Sequence, residues 1–270
     1  MVRTDLALEA KELWDRSAAK TTQLQGVRAG QQGDLTCVDI LDERGEKALG
    51  KPVGTYVTLN LPSYDRDPGK PARQLGAAFR DLMALRENET VMVVGLGNEA
   101  VTPDALGPRT AARVFPTRHL IKELPKVFGA CRSVSVVCPG VLATTGVETL
   151  ELVRGAVENV KPHCLICIDA LAAGSTERLC NTVQFCNSGI APGSGVGNCR
   201  AAFSRDTLGI PVYAIGVPTV TDSGGERPMM VTPRDIDDRI LYLSRVLAGG
   251  INIALHPEIP YEDFIQFVPQ

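Results

Sequence analysis

Two aspartates carry the chemistry that this sequence could do. Asp104 lies within VMVVGLGNEAVTPDALGP, residues 91–108, and Asp169 follows the apolar run Cys164–Ile168. Both runs are short and rich in β-branched or other apolar residues, so they read as buried parallel strands. A carboxylate just past the carboxyl end of a strand lies in the crevice where open α/β sheets place their ligands. If the two strands are neighbours, both carboxylates face one crevice. Two close carboxylates cannot both ionise cheaply, so one keeps a proton. The ionised partner can activate water while the protonated one hydrogen-bonds a carbonyl, which is the chemistry of peptide hydrolysis. Sequence does not divide these roles, because such a pair titrates as a unit.

Other readings compete at each position. Asp104 could simply cap the following helix, and Asp169 the following turn. Gly95, Gly97 and Asn98 permit a tight turn with positive φ. A dinucleotide fingerprint would need glycine at Ala100, and Pro103 comes too early for it; a phosphate-binding module would also lack a Walker lysine. No serine or cysteine nucleophile has a convincing base, since His119, His163 and His256 are the only histidines. The second glycine-dense stretch, GIAPGSGVGN, contains Gly193, Ser194, Gly195, Gly197 and Asn198. Its backbone amides could bind substrate or an oxyanion, or it could be a turn that needs positive φ.

The elements that must position these groups follow from pattern. Leu6–Trp14 reads as a helix, Thr21–Gly33 as a loop, and Leu35–Leu41 and Gly54–Leu61 as strands joined by a turn or loop through ERGEKALGKP. Ser63–Lys70 reads as a surface connection and Ala72–Leu85 as an amphipathic helix. Ala111–Leu120 reads as helical with a break near Pro116, Ser133–Cys138 as a strand and Val147–Val160 as a helix. Leu165–Ile168, Thr182–Cys186 and Val212–Gly216 read as strands and Pro233–Leu247 as a last amphipathic helix. Alternation of strand and helix from residue 91 onward predicts a three-layer α/β architecture, a mainly parallel twisted sheet flanked by helices.

Bulk properties bound the rest. The 270 residues can bury a sizeable core and are read as one domain, 1–270. A net charge of −3 argues against a nucleic-acid surface. No apolar run reaches the ~18 residues of a membrane span, and the charged N-terminus MVRTDLALEAKEL lacks a signal-peptide core. A cytoplasmic location is expected. The eight cysteines read as buried free thiols; Cys164 and Cys167 point to opposite faces of a strand and so cannot clasp one ion. No metal or cofactor is expected.

RTDLALEA at 3–10, VGLGNEAVTPDALGP at 94–108, TRHL at 117–120, PGV at 139–141, IDALAA at 168–173, SGIAPGSGVGN at 188–198, GVPTVTD at 216–222 and MVTPRDID at 230–237 resemble the bacterial spore germination protease family. The resemblance spans nearly the whole chain. It implies an atypical aspartic endopeptidase that degrades small acid-soluble spore proteins, made as a zymogen, tetrameric, located in the forespore or spore core, and related in fold to the hydrogenase maturation proteases. The family aspartates fall on Asp104 and Asp169. The resemblance also implies self-cleavage between Asp5 and Leu6, with Met1–Asp5 as a short propeptide that could place Arg3 near the paired carboxylates. The alternative to this cleavage is that Thr4 or Asp5 merely caps the first helix. One departure is the short SGGERPM at 223–229, where the family carries a long insertion. The alternative mechanism is that of a metal-dependent maturation-type endopeptidase, with His119 completing a ligand set.

Overall fold

The computed structural model describes residues 4–17, 24–61, 67–197, 200–224 and 229–267. In chain order the elements are α1 (Ala7–Ser17), β1 (Val27–Gln32), β2 (Leu35–Ile40), α2 (Glu43–Leu49), β3 (Gly54–Asn60), α3 (Gly69–Met83) and β4 (Val91–Gly95). After a 3-10 turn, Thr102–Asp104, come α4 (Leu106–Ala111), α5 (Arg118–Glu123), α6 (Pro125–Phe128), β5 (Val134–Val137), α7 (Leu142–Thr145), α8 (Thr149–Val160) and β6 (Cys164–Ala173). Then follow β7 (Thr182–Cys186), α9 (Arg205–Leu208), β8 (Val212–Asp222), β9 (Met230–Val231), α10 (Ile236–Leu255) and α11 (Tyr261–Phe267).

One mixed sheet organises them, in the order β1-β2-β3-β7-β8-β6-β4-β5, with β9 on β8. The parallel half is β8-β6-β4-β5. Every other join is antiparallel, including β7 to β8. Helices cover both faces. On one, Val91, Val93, Ile166, Ile168, Val183, Phe185, Ile215 and Val217 pack beneath α3, α4 and α10. On the other, Met92, Val94, Leu165 and Cys167 meet Val153 and Val157 of α8. The strict alternation along β4 and β6 is the period of two expected of a strand buried on both faces. Cys164 and Cys167 fall into these opposite cores. All seven described cysteines are free; Cys164, Cys167, Cys180 and Cys186 are buried as expected, whereas Cys37 and Cys131 are half-buried and Cys138 is exposed.

Several elements differ from the sequence reading. The 21–33 stretch contains β1, an exposed edge strand whose polar residues give no apolar alternation. ERGEKAL forms α2: Asp42 caps it by accepting from the Arg44 and Gly45 amides, and Gly50 ends it in the left-handed conformation. The break expected near Pro116 is present, between α4 and α5, but α4 starts earlier than expected, at Leu106, and ends at Ala111. β6 runs to Ala173, five residues past the expected end, and β8 runs to Asp222.

Candidate active site

Asp104 is held by its own turn. Where β4 ends, the Leu96 amide still donates to the Ile168 carbonyl of β6 at 2.8 Å, so the chain leaves the sheet beside β6. Gly97 then takes φ +113°, and a β-carbon there would overlap the Asp104 carbonyl oxygen; only glycine lets the chain fold back this closely. The Asn98 side chain accepts from the Ala100 amide at 3.0 Å. The Asn98 amide donates to Asp104 Oδ2 at 2.6 Å, tying the carboxylate across the loop. Thr102 anchors the same turn to the first turn of α10, donating to Asp237 at 3.0 Å. Asp104 does not cap α4, which has no side-chain cap. Burial raises the Asp104 carboxyl above its ordinary value, and the Asn98 amide offsets part of this by stabilising the anion.

Asp169 lies within β6 rather than at its end. Pairing with β4 stops at Ile168, whereas pairing with β8 continues. Asp169 is therefore the first β6 residue without a β4 neighbour, which is the physical content of the expected strand-end position. Among the described residues, its carboxylate accepts the adjacent Ala170 amide alone, at 2.9 Å, and the residue is 5% exposed. Burial first, then the charges of Asp104 and Asp5, push this carboxyl well above the usual range. The side chain favours its protonated form, and it caps no turn.

Asp5 is a third carboxylate at this place. The segment Thr4–Ala7, which leads into α1, enters the crevice and is held against β6 and β7. The Asp5 amide donates to the Ala172 carbonyl at 2.9 Å, and the Ala172 amide returns a bond to Asp5 Oδ2 at 2.9 Å. A register shift between Leu171 and Ala172, opposite Pro218 of β8, releases β6 from regular pairing where these bonds form. The Ser194 hydroxyl donates to Asp5 Oδ1 at 2.6 Å. Gln184 Nε2 donates to the Asp5 carbonyl at 3.1 Å, and Lys51 Nζ to the Thr4 carbonyl at 2.9 Å. Leu6 is fully buried among Leu171, Ala173 and Leu179. Thr4 does serve the helix start: its hydroxyl accepts from the Leu6 amide at 3.0 Å and donates to Glu9. Asp5 turns into the crevice instead. Arg3 lies outside the described residues, and the group found facing Asp169 is the carboxyl of Asp5.

Two cavities of about 580 and 590 Å³ meet along this segment; Asp5, Asp169, Leu171 and Gly193 line both, and Asp104 lines the larger. In the glycine loop, Gly193 and Gly197 are left-handed with φ +74°. Gly195 backs directly on Asp5, where a β-carbon would overlap its carboxylate. The Ser194 and Gly197 amides are used inside the turn, bonded to the Ala191 and Ser194 carbonyls. The loop therefore reaches the crevice through Gly193, Gly195 and the Ser194 hydroxyl, while Gly197 lines neither cavity. Asn198 lies outside the described residues. His119 is exposed on α5 and lines neither cavity. Among the described residues, the cluster with metal-ligand character is Cys131, His256 and Glu258, beyond the carboxyl end of α10 and outside both cavities.

Sequence reasoning did not place Lys51, Ala172 or Gln184 in the site. Gln184 had a legible signal, a polar residue centred in the apolar run TVQFC. Lys51 and the Ala172 amide had none.

Fold and site together define an α/β protein with an acidic cleft that already holds a short stretch of its own chain, Thr4–Ala7. Comparison with known proteins supplies the family. The sequence model described as germination protease matches residues 7–226, and the chain belongs to that family. Germination proteases of Clostridium perfringens and Caldanaerobacter subterraneus subsp. tengcongensis are 38% and 40% identical to it, over 99% of this chain and 99% and 98% of theirs. One from Bacillus cytotoxicus is 39% identical over 92% of this chain and 70% of its own length. The protein is accordingly a peptidase, a hydrolase. Among solved structures, the NiFe hydrogenase maturation protease HycI from Thermococcus kodakarensis aligns with 64% of this chain and 98% of its own, at 17% identity and a TM-score of 0.36. No helix among the described residues is long and apolar enough to cross a membrane.

Proposed function

We propose that this chain is an aspartic endopeptidase that degrades small acid-soluble spore proteins during germination, with Asp104 and Asp169 as its catalytic pair. The observation that carries the reading is the burial of Asp169 beside a second carboxylate in one cleft, which leaves a proton to be shared. Asp169 is the more deeply buried and feels the charges of both Asp104 and Asp5, so it carries the proton. Asp104, with the Asn98 amide on Oδ2, is the ionised base. Water bound at Asp104 gives it a proton as its oxygen attacks the scissile carbonyl carbon, while Asp169 hydrogen-bonds the carbonyl oxygen and protonates it. Collapse of the tetrahedral intermediate breaks the C–N bond. The amine leaves with the proton that Asp104 gained, and the hydroxyl proton returns to Asp169.

The segment Thr4–Ala7 is read as the first substrate. An acidic side chain is received by the Ala172 amide and the Ser194 hydroxyl, and an apolar side chain follows in the pocket of Leu171, Ala173 and Leu179. On this reading the chain is a zymogen that loses its residues up to Asp5, acts in the forespore or spore core, and assembles as a tetramer. Nothing favours the metal-dependent alternative, since His119 stands outside the cleft. The test is digestion of a purified small acid-soluble spore protein with and without chelator, with the fragments mapped. The proposal expects a few defined cuts after acidic residues, unchanged by chelation. Cleavage abolished by chelation and restored by one particular metal would overturn it.

A further inference from the structure

The peptide bond between Asp5 and Leu6 is bracketed by a single side chain. Gln184 Nε2 donates to the Asp5 carbonyl oxygen at 3.1 Å, and Gln184 Oε1 accepts from the Ala7 amide at 2.7 Å. The orientation of the carboxamide is fixed by chemistry: a backbone amide only donates, so the oxygen end faces Ala7 and the NH2 end faces the carbonyl. Gln184 is 7% exposed and stands between Val183 and Phe185, which point into the opposite core. A polar side chain at such a position costs free energy unless its hydrogen bonds are made, and both of the bonds described here go to the N-terminal segment rather than to the scaffold.

Sheet register places this group opposite the dyad. Gln184 pairs with Gly216, and Gly216 pairs with Asp169, so the three form one row across β7, β8 and β6. Residues in register share a face, and two strand spacings of about 4.8 Å separate the ends of the row. Gly216, between them, has no side chain, and a β-carbon there would meet the Asp169 carbonyl at 2.5 Å and Leu171 Cγ at 2.8 Å. The Leu171 side chain therefore covers Gly216, and Gln184 and Asp169 flank it along the row, both lining the cavity that Asp5 enters.

We propose that Gln184 is a further catalytic residue: its carboxamide N–H donates to the scissile carbonyl oxygen and stabilises the negative charge that develops there. This rests on the Asp104–Asp169 reading above. A carbonyl oxygen has two lone pairs, so Gln184 takes one and the Asp169 proton the other. The glycine loop does not compete for this role, because its Ser194 and Gly197 amides are already bonded. Removal of the segment leaves a buried donor and acceptor unmet. The substrate that restores both is a peptide presenting a carbonyl and, two residues on, an amide, as Asp5 and Ala7 do.

The test compares Gln184→Glu and Gln184→Met with wild type on one peptide substrate, reading kcat and KM across pH, with circular dichroism to verify folding. Gln184→Glu keeps the acceptor for Ala7 and loses the donor whenever it is ionised; Gln184→Met loses both at every pH. Loss of one such donor lowers kcat by about a hundred- to a thousandfold. Both variants should show this loss at neutral pH with KM little changed, and only Gln184→Glu should recover as pH falls. Equal loss at every pH in both variants, a rise in KM with kcat intact, or failure of both to fold would assign Gln184 to grip or scaffold and overturn the proposal. Asp104→Asn and Asp169→Asn run in parallel separate the two claims. Their retention of wild-type turnover would sink the dyad itself, whereas unchanged kcat in the Gln184 variants alone sinks only the role of Gln184.

Discussion

A carboxyl group with 5% exposure and two carboxylate neighbours costs the folded state free energy whenever it ionises. In the unfolded chain Asp169 titrates near its reference value of about 3.9, and in the folded chain well above it. Between those values the folded state holds a proton that the unfolded state has released, so this residue makes stability fall as pH rises. Asp169→Asn removes that liability. The variant should melt higher than wild type near neutral pH, and the difference should close below about pH 4. Thermal melts across that range check this, and a variant less stable than wild type at neutral pH would contradict it. Asp5 contributes to the same shift, so Asp5→Asn should move the carboxyl titration of Asp169, followed by carbon NMR, to lower pH. At this scale the sequence exposed Asp104 and Asp169, because an acid after an apolar run is visible in one dimension. Gln184 left one sign, a polar residue within the apolar run TVQFC; Asn98 and Lys51 were not legible as partners, because each meets its target through the course of a loop.

The turn after β4 turns an ordinary strand into a holder for Asp104. Gly97→Ala places a β-carbon against the Asp104 carbonyl at φ +113°, so it should cost on the order of 1–3 kcal/mol of stability. It should also lower kcat by displacing the Asp104 turn. Denaturant midpoints and turnover measured on the same preparation check both, and an alanine variant with wild-type stability would show that the turn is not constrained as described. β4, β6 and α3 were legible because their burial writes a period into the sequence. α2 was not: seven residues, five of them charged or glycine, are held by the Asp42 cap and Gly50 rather than by an apolar stripe. β1 was hidden for the related reason that an edge strand with exposed side chains needs no alternation. The antiparallel half of the sheet was illegible because strand order is set by long-range pairing, and β7 returns between β3 and β8 with no local signal that it must.

For the molecule as a whole, the N-terminal segment and the cleft form one system: Lys51, Gln184, Ala172 and Ser194 hold Thr4 and Asp5 across the meeting point of two cavities. Purified protein held at mildly acidic pH should therefore lose its residues through Asp5, seen as a single step in intact mass. The Asp104→Asn protein should keep them, and a mass that never changes in a preparation that still digests substrate would reject the zymogen reading. The resemblance to a known family reached across nearly the whole chain, and the family match over residues 7–226 bore it out; what it did not convey was which groups hold Thr4 and Asp5 in the cleft. The central claim is that two aspartates perform the hydrolysis, and the turnover of folded Asp104→Asn and Asp169→Asn on a small acid-soluble spore protein tests it most directly. Each variant should lose a thousandfold or more, on the order expected of residues that act as a unit, and near wild-type turnover by either folded variant would contradict the account.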